Sequence, residues 1–116
     1  MKILVTGGAG FIGSHLVERL AEEGNRVVVL DNLSTGRMEN LESLGNQENI
    51  KFRRVDIAEP ESINEFFRGV ERVFHIAAMA DIVPSIQNPL AYHHSNVDGT
   101  VSVLEAARKA GVKKFI

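Results

Sequence analysis

The chain has 116 residues, with 13 basic and 15 acidic side chains, a formal charge of −2, and neither cysteine nor tryptophan. That length predicts one domain, since domains commonly run to ~100–150 residues. Hydrophobic residues make up 44% and charged ones 24%, a globular balance that excludes long-range disorder and a coiled coil. The near-neutral charge leaves no electrostatic footprint for nucleic acid. No stretch approaches the ~20 apolar residues of a membrane span. Gly7, Gly8 and Gly10 interrupt the first apolar run before it could act as a signal-peptide core. Without cysteine there is no disulfide framework and no thiolate metal site. The composition reads as a soluble cytoplasmic domain.

Apolar runs and turn signals alternate along the chain. Ile3, Leu4 and Val5 form a continuous hydrophobic run that stops at Thr6-Gly7-Gly8, the pattern of a strand buried on both faces. Helical spacing follows over residues 11–23, with Ile12, Leu16 and Leu20 on one stripe and Gly24 as the stop. Residues 27–30 predict a second buried strand ending at Asp31. Residues 32–49 are polar and rich in Ser, Gly and Asn, a loop with at most a short helix around residues 39–44. Residues 50–55 predict a third strand. Pro60 suits a first helical turn, and Ile63, Phe66 and Phe67 carry that helix to Gly69, with both phenylalanines in the core. Residues 70–76 predict a fourth strand. Asn88-Pro89 has the N-cap and N1 residues of a helix start, and a long helix follows through Val97, Val101, Leu104 and Ala107 to Gly111. Residues 112–116 open a fifth strand, and a chain stopping there reads as the front part of something longer, with an open sheet edge. Strand alternating with helix predicts parallel pairing, right-handed crossovers and helices on both faces.

Gly7-Gly8-Ala9-Gly10-Phe11-Ile12-Gly13 places glycines at GxxGxxG spacing after a strand and at the opening of a helix. Gly7 permits the tight turn, Gly10 lets backbone approach a pyrophosphate, and Gly13 allows close packing of helix on strand. The helix N-terminus supplies unpaired N–H groups and the positive end of its dipole. Asp31 stands at the end of the second strand, 18 residues after Gly13, where a carboxylate accepts hydrogen bonds from adenosine ribose hydroxyls and repels a 2′-phosphate. The expected fold is therefore a Rossmann-like doubly wound α/β domain over residues 1–116. It has about five strands in the order 3-2-1-4-5, and its expected cofactor is NAD rather than NADP. A Walker A loop is excluded because no Gly-Lys-Ser/Thr follows the glycines.

The run Thr6-Gly7-Gly8-Ala9-Gly10-Phe11-Ile12-Gly13-Ser14-His15-Leu16 resembles the opening of the extended short-chain dehydrogenase/reductase family. Within that family the chain is similar to the NAD-dependent nucleotide-sugar epimerases and dehydratases. The resemblance continues through Asp31-Asn32-Leu33-Ser34-Thr35-Gly36, Asp56-Ile57, His75-Ile76-Ala77-Ala78, Val83-Pro84-Ser85-Ile86, Asn96-Val97-Asp98-Gly99-Thr100 and Leu104-Glu105-Ala106-Ala107. It implies that Gly7, Gly10, Phe11, Ile12 and Gly13 bind the pyrophosphate. Asp31 and Asn32 would hold the adenosine ribose, with Ser34, Thr35 and Gly36 nearby, and Asp56 and Ile57 would meet the adenine edge. Ala77, Ala78 and Met79 would line the cofactor trough, Asn96 would stand near the site, and Ser85 is a weaker candidate for substrate contact. The resemblance also implies a homodimer contact through residues 90–110.

The resemblance implies further parts that these residues do not contain. Its chemistry uses a Ser or Thr after the fifth strand and a Tyr-x-x-x-Lys whose tyrosine is the general base, with hydride passing between a sugar carbon and the cofactor. Tyr92, the single tyrosine, is followed four residues later by Asn96 rather than Lys. The sugar-binding domain is likewise absent, so the expectation is the NAD-binding portion of an epimerase-like enzyme without turnover of its own. Two other readings stand beside it: a non-catalytic NAD-binding module, and a structural fragment that associates through its open sheet edge. His75, His93, His94 and Asp56 raise a metal site, but adjacent helical histidines point about 100° apart and rarely reach one ion, so no metal is expected. His15 and His75 read as packing or hydrogen-bonding residues, and Arg53-Arg54 as solvated strand-edge charge.

Overall fold

The computed structural model describes residues 1–44 and 47–116. Its five strands, β1 (Lys2–Thr6), β2 (Arg26–Asp31), β3 (Ile50–Arg54), β4 (Arg72–His75) and β5 (Lys114–Phe115), are two to six residues long, too short to stand alone. They form one sheet in the order β3-β2-β1-β4-β5 with every neighbouring pair parallel. Both the order and the direction match the expectation from sequence.

Period-two alternation divides the core between the two faces of the sheet. Ile3, Val5, Val27 and Val29 pack against Val17, Leu20 and Ala21 of α1 (Phe11–Glu22) and Leu41 of α2 (Met38–Glu42). Leu4, Val28, Leu30 and Val73 pack on the opposite side. There they meet Ile63 of α3 (Pro60–Ile63), Phe67 of the 3₁₀ turn Asn64–Phe67, and Val103, Ala106 and Ala107 from the last helix.

Several local expectations need correction. In α1 the stripe facing the sheet is Gly13, Ser14, Val17, Leu20 and Ala21; Ile12 is exposed and Leu16 only half-buried. The crossover after Pro60 is not one helix to Gly69: α3 gives way to the 3₁₀ turn, which buries Phe67 and leaves Phe66 half-buried. The fourth strand is shorter than residues 70–76. The loop over 32–49 contains α2 where a short helix was expected, and its residues 45 and 46 lie outside the described residues. A helix absent from the sequence reading, α4 (Ile82–Gln87), precedes Asn88.

The long helix starts and stops where its caps dictate. The Asn88 side chain accepts from the Ala91 N–H, and Gly111 closes the helix with φ 73°, in the left-handed region that suits glycine. Between these ends it is not uniform. It runs as α5 (Pro89–His93), a π-helical stretch (His94–Asp98) and α6 (Gly99–Ala110), with the Gly99 N–H donating to the His94 carbonyl. Such π insertions rotate the face that follows, and they recur at functional sites.

Candidate functional site

At β1 the strand order reverses direction, and ligands of doubly wound sheets bind at the carboxyl ends of strands around such a point. A cleft of about 310 Å³ opens there, against the chain leaving β1, β2, β3 and β4. Gly7, Gly10, Phe11, Ile12 and Gly13 line one side of it. Asp31, Asn32, Ser34 and Thr35 line the second, Asp56 and Ile57 the third, and Ala77 and Ala78 the floor.

The glycine loop is shaped by close approach of backbone to backbone. Gly7 has φ 71°, and a Cβ there would lie 2.7 Å from the Ala77 Cα and N atoms. A Cβ on Gly13 would overlap the Gly7 carbonyl oxygen and lie 2.8 Å from the Gly8 Cα, so this glycine serves the loop's own closure rather than contact with the strand. At Gly10 the nearest atom to such a Cβ is the Gly7 oxygen at 3.3 Å; the remaining space belongs to the cleft. Gly10 caps α1 without a side-chain acceptor, and no acidic residue occupies the first turn. The leading N–H groups and the positive helix end are thus left for an anion in the cleft.

Asp31 is buried at 8% exposure, yet its carboxylate is built into the loops. Oδ2 accepts from the Ala9 N–H at 3.0 Å and Oδ1 from the Leu33 N–H at 2.8 Å. This ties the glycine loop to the end of β2. Leu33 is held at φ 61°, rare for a branched side chain, and the neighbouring Asn32 Oδ1 accepts from the Ser34 N–H. A carboxylate accepts at about four lone-pair positions, so two backbone donors leave Asp31 capacity for ribose hydroxyls.

On the far side, the Asp56 carboxylate accepts from the Ala58 N–H and meets His94 Nε2 at 3.0 Å. Burial alone would raise the Asp56 pKa, but the hydrogen bonds from His94 and Ala58 outweigh it and hold the carboxyl below its usual range. His94 is correspondingly raised by Asp56. Glu59 joins these two, with ligand-capable atoms of all three within 4.8 Å of one another. His75 stands apart from this group, bonded to two hydroxyls, and His93 lies nearest Asp98. The four residues weighed for a metal therefore do not converge.

Four predicted site residues do not line the cleft. Gly36 sits behind Asp31, where a Cβ would come within 3.0 Å of Oδ2. Asn96 and Met79 hold each other: the Asn96 amide donates to the Met79 carbonyl and accepts from the Met79 N–H, both at 2.8 Å. Ser85 turns its hydroxyl to the Ile82 carbonyl within α4. Conversely, Leu30, Val55, Ile76 and Ser95 line the cleft and were not expected to. The first three are apolar strand-end residues without a chemical mark; Ser95 could have been found as the neighbour of Asn96 in the motif.

A family model for the NAD dependent epimerase/dehydratase family matches residues 3–116. The chain belongs to that family. Among its members, the UDP-glucose 4-epimerase of Mycolicibacterium smegmatis is 45% identical over 119 residues, covering 100% of this chain and 37% of its own length. The crystal structure of the Thermotoga maritima UDP-glucose 4-epimerase with UDP-glucose superposes with a TM-score of 0.91 at 44% identity, over 99% of this chain and 36% of that one. The dTDP-glucose 4,6-dehydratase of Streptomyces venezuelae, solved with NAD, gives 0.93 at 35% identity, over 99% and 38%. The chain thus spans little more than a third of the length of these epimerase/dehydratase relatives. Among the described residues, no helix is long and apolar enough to cross a membrane.

Proposed function

We propose that residues 1–116 are the NAD-binding, N-terminal portion of a nucleotide-sugar epimerase or dehydratase, with a UDP-glucose 4-epimerase-like enzyme as the best reading. The observation that carries it is the joining of the glycine loop to Asp31: a rigid, uncapped helix start faces a buried carboxylate across one cleft. The N–H groups at Phe11, Ile12 and Gly13 would hold the pyrophosphate. Asp31 and Asn32 would hold the adenosine ribose beside Ser34, Thr35 and Gly36, and Asp56 and Ile57 would border the adenine. Ala77 and Ala78 leave a low floor for the nicotinamide half, backed by Met79 and Asn96. A bound NAD would take up and return hydride at a sugar carbon.

In this reading these residues bind and orient the cofactor, and no side chain among them serves as the general base. The nucleotide-sugar substrate, a cytoplasmic location and the lack of turnover by these residues alone belong to the same proposal. A homodimer through residues 90–110 is supported by Leu90, Val97, Val101 and Leu104, which stand 81%, 47%, 61% and 45% exposed on that helix.

Thermal unfolding with NAD, with NADP and without ligand tests the reading. A ligand at 100 times its Kd stabilises a fold by ~2.7 kcal/mol, a shift of several degrees in a domain this size. The expected result is a clear rise with NAD and little with NADP. Cooperative unfolding unmoved by NAD would overturn it.

A further inference from the structure

His75 ends β4 beneath the cleft without lining it, and both of its ring nitrogens are engaged. Nδ1 lies 2.7 Å from the Thr6 hydroxyl and Nε2 lies 2.9 Å from the Thr100 hydroxyl. Thr6 is fully buried and accepts the Ala77 N–H at 3.2 Å. Thr100 donates to the Asn96 carbonyl at 2.6 Å. Asn96 in turn grips both backbone groups of Met79.

Proton counting fixes the direction of this chain. A carbonyl only accepts, so the single Thr100 proton is committed to Asn96, and toward His75 that hydroxyl is an acceptor. Nε2 therefore carries a proton. A neutral imidazole has one N–H, so Nδ1 is bare and takes the Thr6 proton, which leaves Thr6 lone pairs for the Ala77 N–H. Every donor has an acceptor. The opposite tautomer would set bare Nε2 against the Thr100 oxygen, two acceptors face to face, and would leave the buried Thr6 proton without an acceptor; a doubly protonated ring would strand that proton as well. Burial also lowers the His75 pKa, and its ring packs beside Phe115 rather than beside a charge.

We propose that His75 is a positioning residue, held as its neutral Nε2–H tautomer, which conducts a one-way hydrogen-bond relay from Ala77 through Thr6 and Thr100 to Asn96. The segment Ala77–Met79, whose Ala77 and Ala78 form the floor of the cleft, is thereby fastened at one end to β1 and at the other to the helix wall. The relay spans three elements distant in sequence, and the π-helical stretch that carries Asn96 is one of its anchors. This rests on the reading of the cleft as the dinucleotide site, because preorganisation of its floor is what the relay would supply.

The test joins ¹⁵N spectra of the imidazoles to NAD titration of the wild type, Thr100→Val and Thr100→Ser. At neutral pH, His75 should show a bare Nδ1 and a protonated Nε2. Thr100→Val keeps the side-chain shape but removes the acceptor. It should weaken NAD about fivefold, the value of one net hydrogen bond, and shift the Met79 amide resonance. Thr100→Ser should restore both. An Nδ1–H tautomer, or a Thr100→Val chain with unchanged Met79 amide and NAD affinity, would overturn the relay. A wild type that does not bind NAD sinks the reading of the cleft instead, while the tautomer and the Met79 amide still decide the relay.

Discussion

In the β1–α1–β2 unit the aliphatic side chains are consumed by the core: Ile3, Leu4, Val5, Val17, Leu20 and Val27 through Leu30 are all buried. Only Phe11 and Ile12 stand out, at the mouth of the cleft. The helical stretch from α4 to α6 behaves differently. It buries Val103, Ala106 and Ala107 and turns Ile82, Val83, Ile86, Leu90, Val97, Val101 and Leu104 to solvent. Both regions carry periodic apolar patterns, but only the first is closed by residues of this chain. Apolar periodicity therefore reports that a face is meant to be covered, without saying what covers it. Large exposed apolar patches mark interaction surfaces, and these residues are the side chains that could build one.

The same truncation should separate the two regions most widely. Leu4→Ala removes a fully buried side chain and should cost about 2–5 kcal/mol. Leu90→Ala, at a position 81% exposed in the single chain, should stay within about 0.5 kcal/mol of wild type when measured at concentrations where the chain is monomeric. Denaturant unfolding of both variants checks this, and equal losses would break the comparison. A smaller contrast comes from glycine. Gly13→Ala drives a methyl into loop backbone, so it should cost about 1–3 kcal/mol and abolish NAD stabilisation. Gly99→Ala presses on the Ile57 side chain, with Cδ1 and Cγ1 both at 3.0 Å, and on no backbone atom nearer than the His94 oxygen at 3.8 Å. The ~1 kcal/mol helix preference of alanine should offset that contact and leave stability nearly unchanged. Melting curves with and without NAD read both effects.

The same distinction explains what was legible in the sequence. The alternation of strand with helix, the caps at Asn88 and Gly111, and the glycine–acid pairing beside the cleft were readable because each rests on local chemistry: apolar patterning, φ preference, or a spacing that backbone geometry enforces. Strand order followed from that spacing only through the fold it signals. The stripe of α1 differs from the apolar pattern because Ile12 belongs to the cleft while Gly13, Ser14 and Ala21, which carry little hydrophobic signal, are buried. The π stretch was invisible because it depends on the tertiary anchoring of His94 by Asp56 and of Asn96 by Met79. The strand-end wall of Leu30, Val55 and Ile76 carries no motif at all. The motif marks Asn96 as standing near the site, but the residue does not line the cleft, and its contacts with Met79 depend on the fold.

The smallest expected effect sets two histidines against each other. Burial lowers the His75 pKa, so between its folded value and the ordinary 6.5 the unfolded chain binds more protons, and stability falls as pH drops below about 6.5. Asp56 raises the His94 pKa, so the stabilisation from that pair is complete below 6.5 and is lost as pH rises through the folded value. The two arms slope in opposite directions and together give a maximum near the middle of the range. They also differ in screening, because the His94 and Asp56 side chains are 46% and 40% exposed whereas His75 is enclosed by hydroxyls and Phe115. Melting temperatures between pH 5 and 8, on the span where histidine titrates, should therefore show two arms in the wild type. His94→Gln should erase the alkaline fall and keep the acidic one, and high salt should do the same more weakly. A variant that retained the alkaline fall would place its origin outside the His94–Asp56 pair, and the exposed wall of the cleft would then contribute no titratable lock of its own.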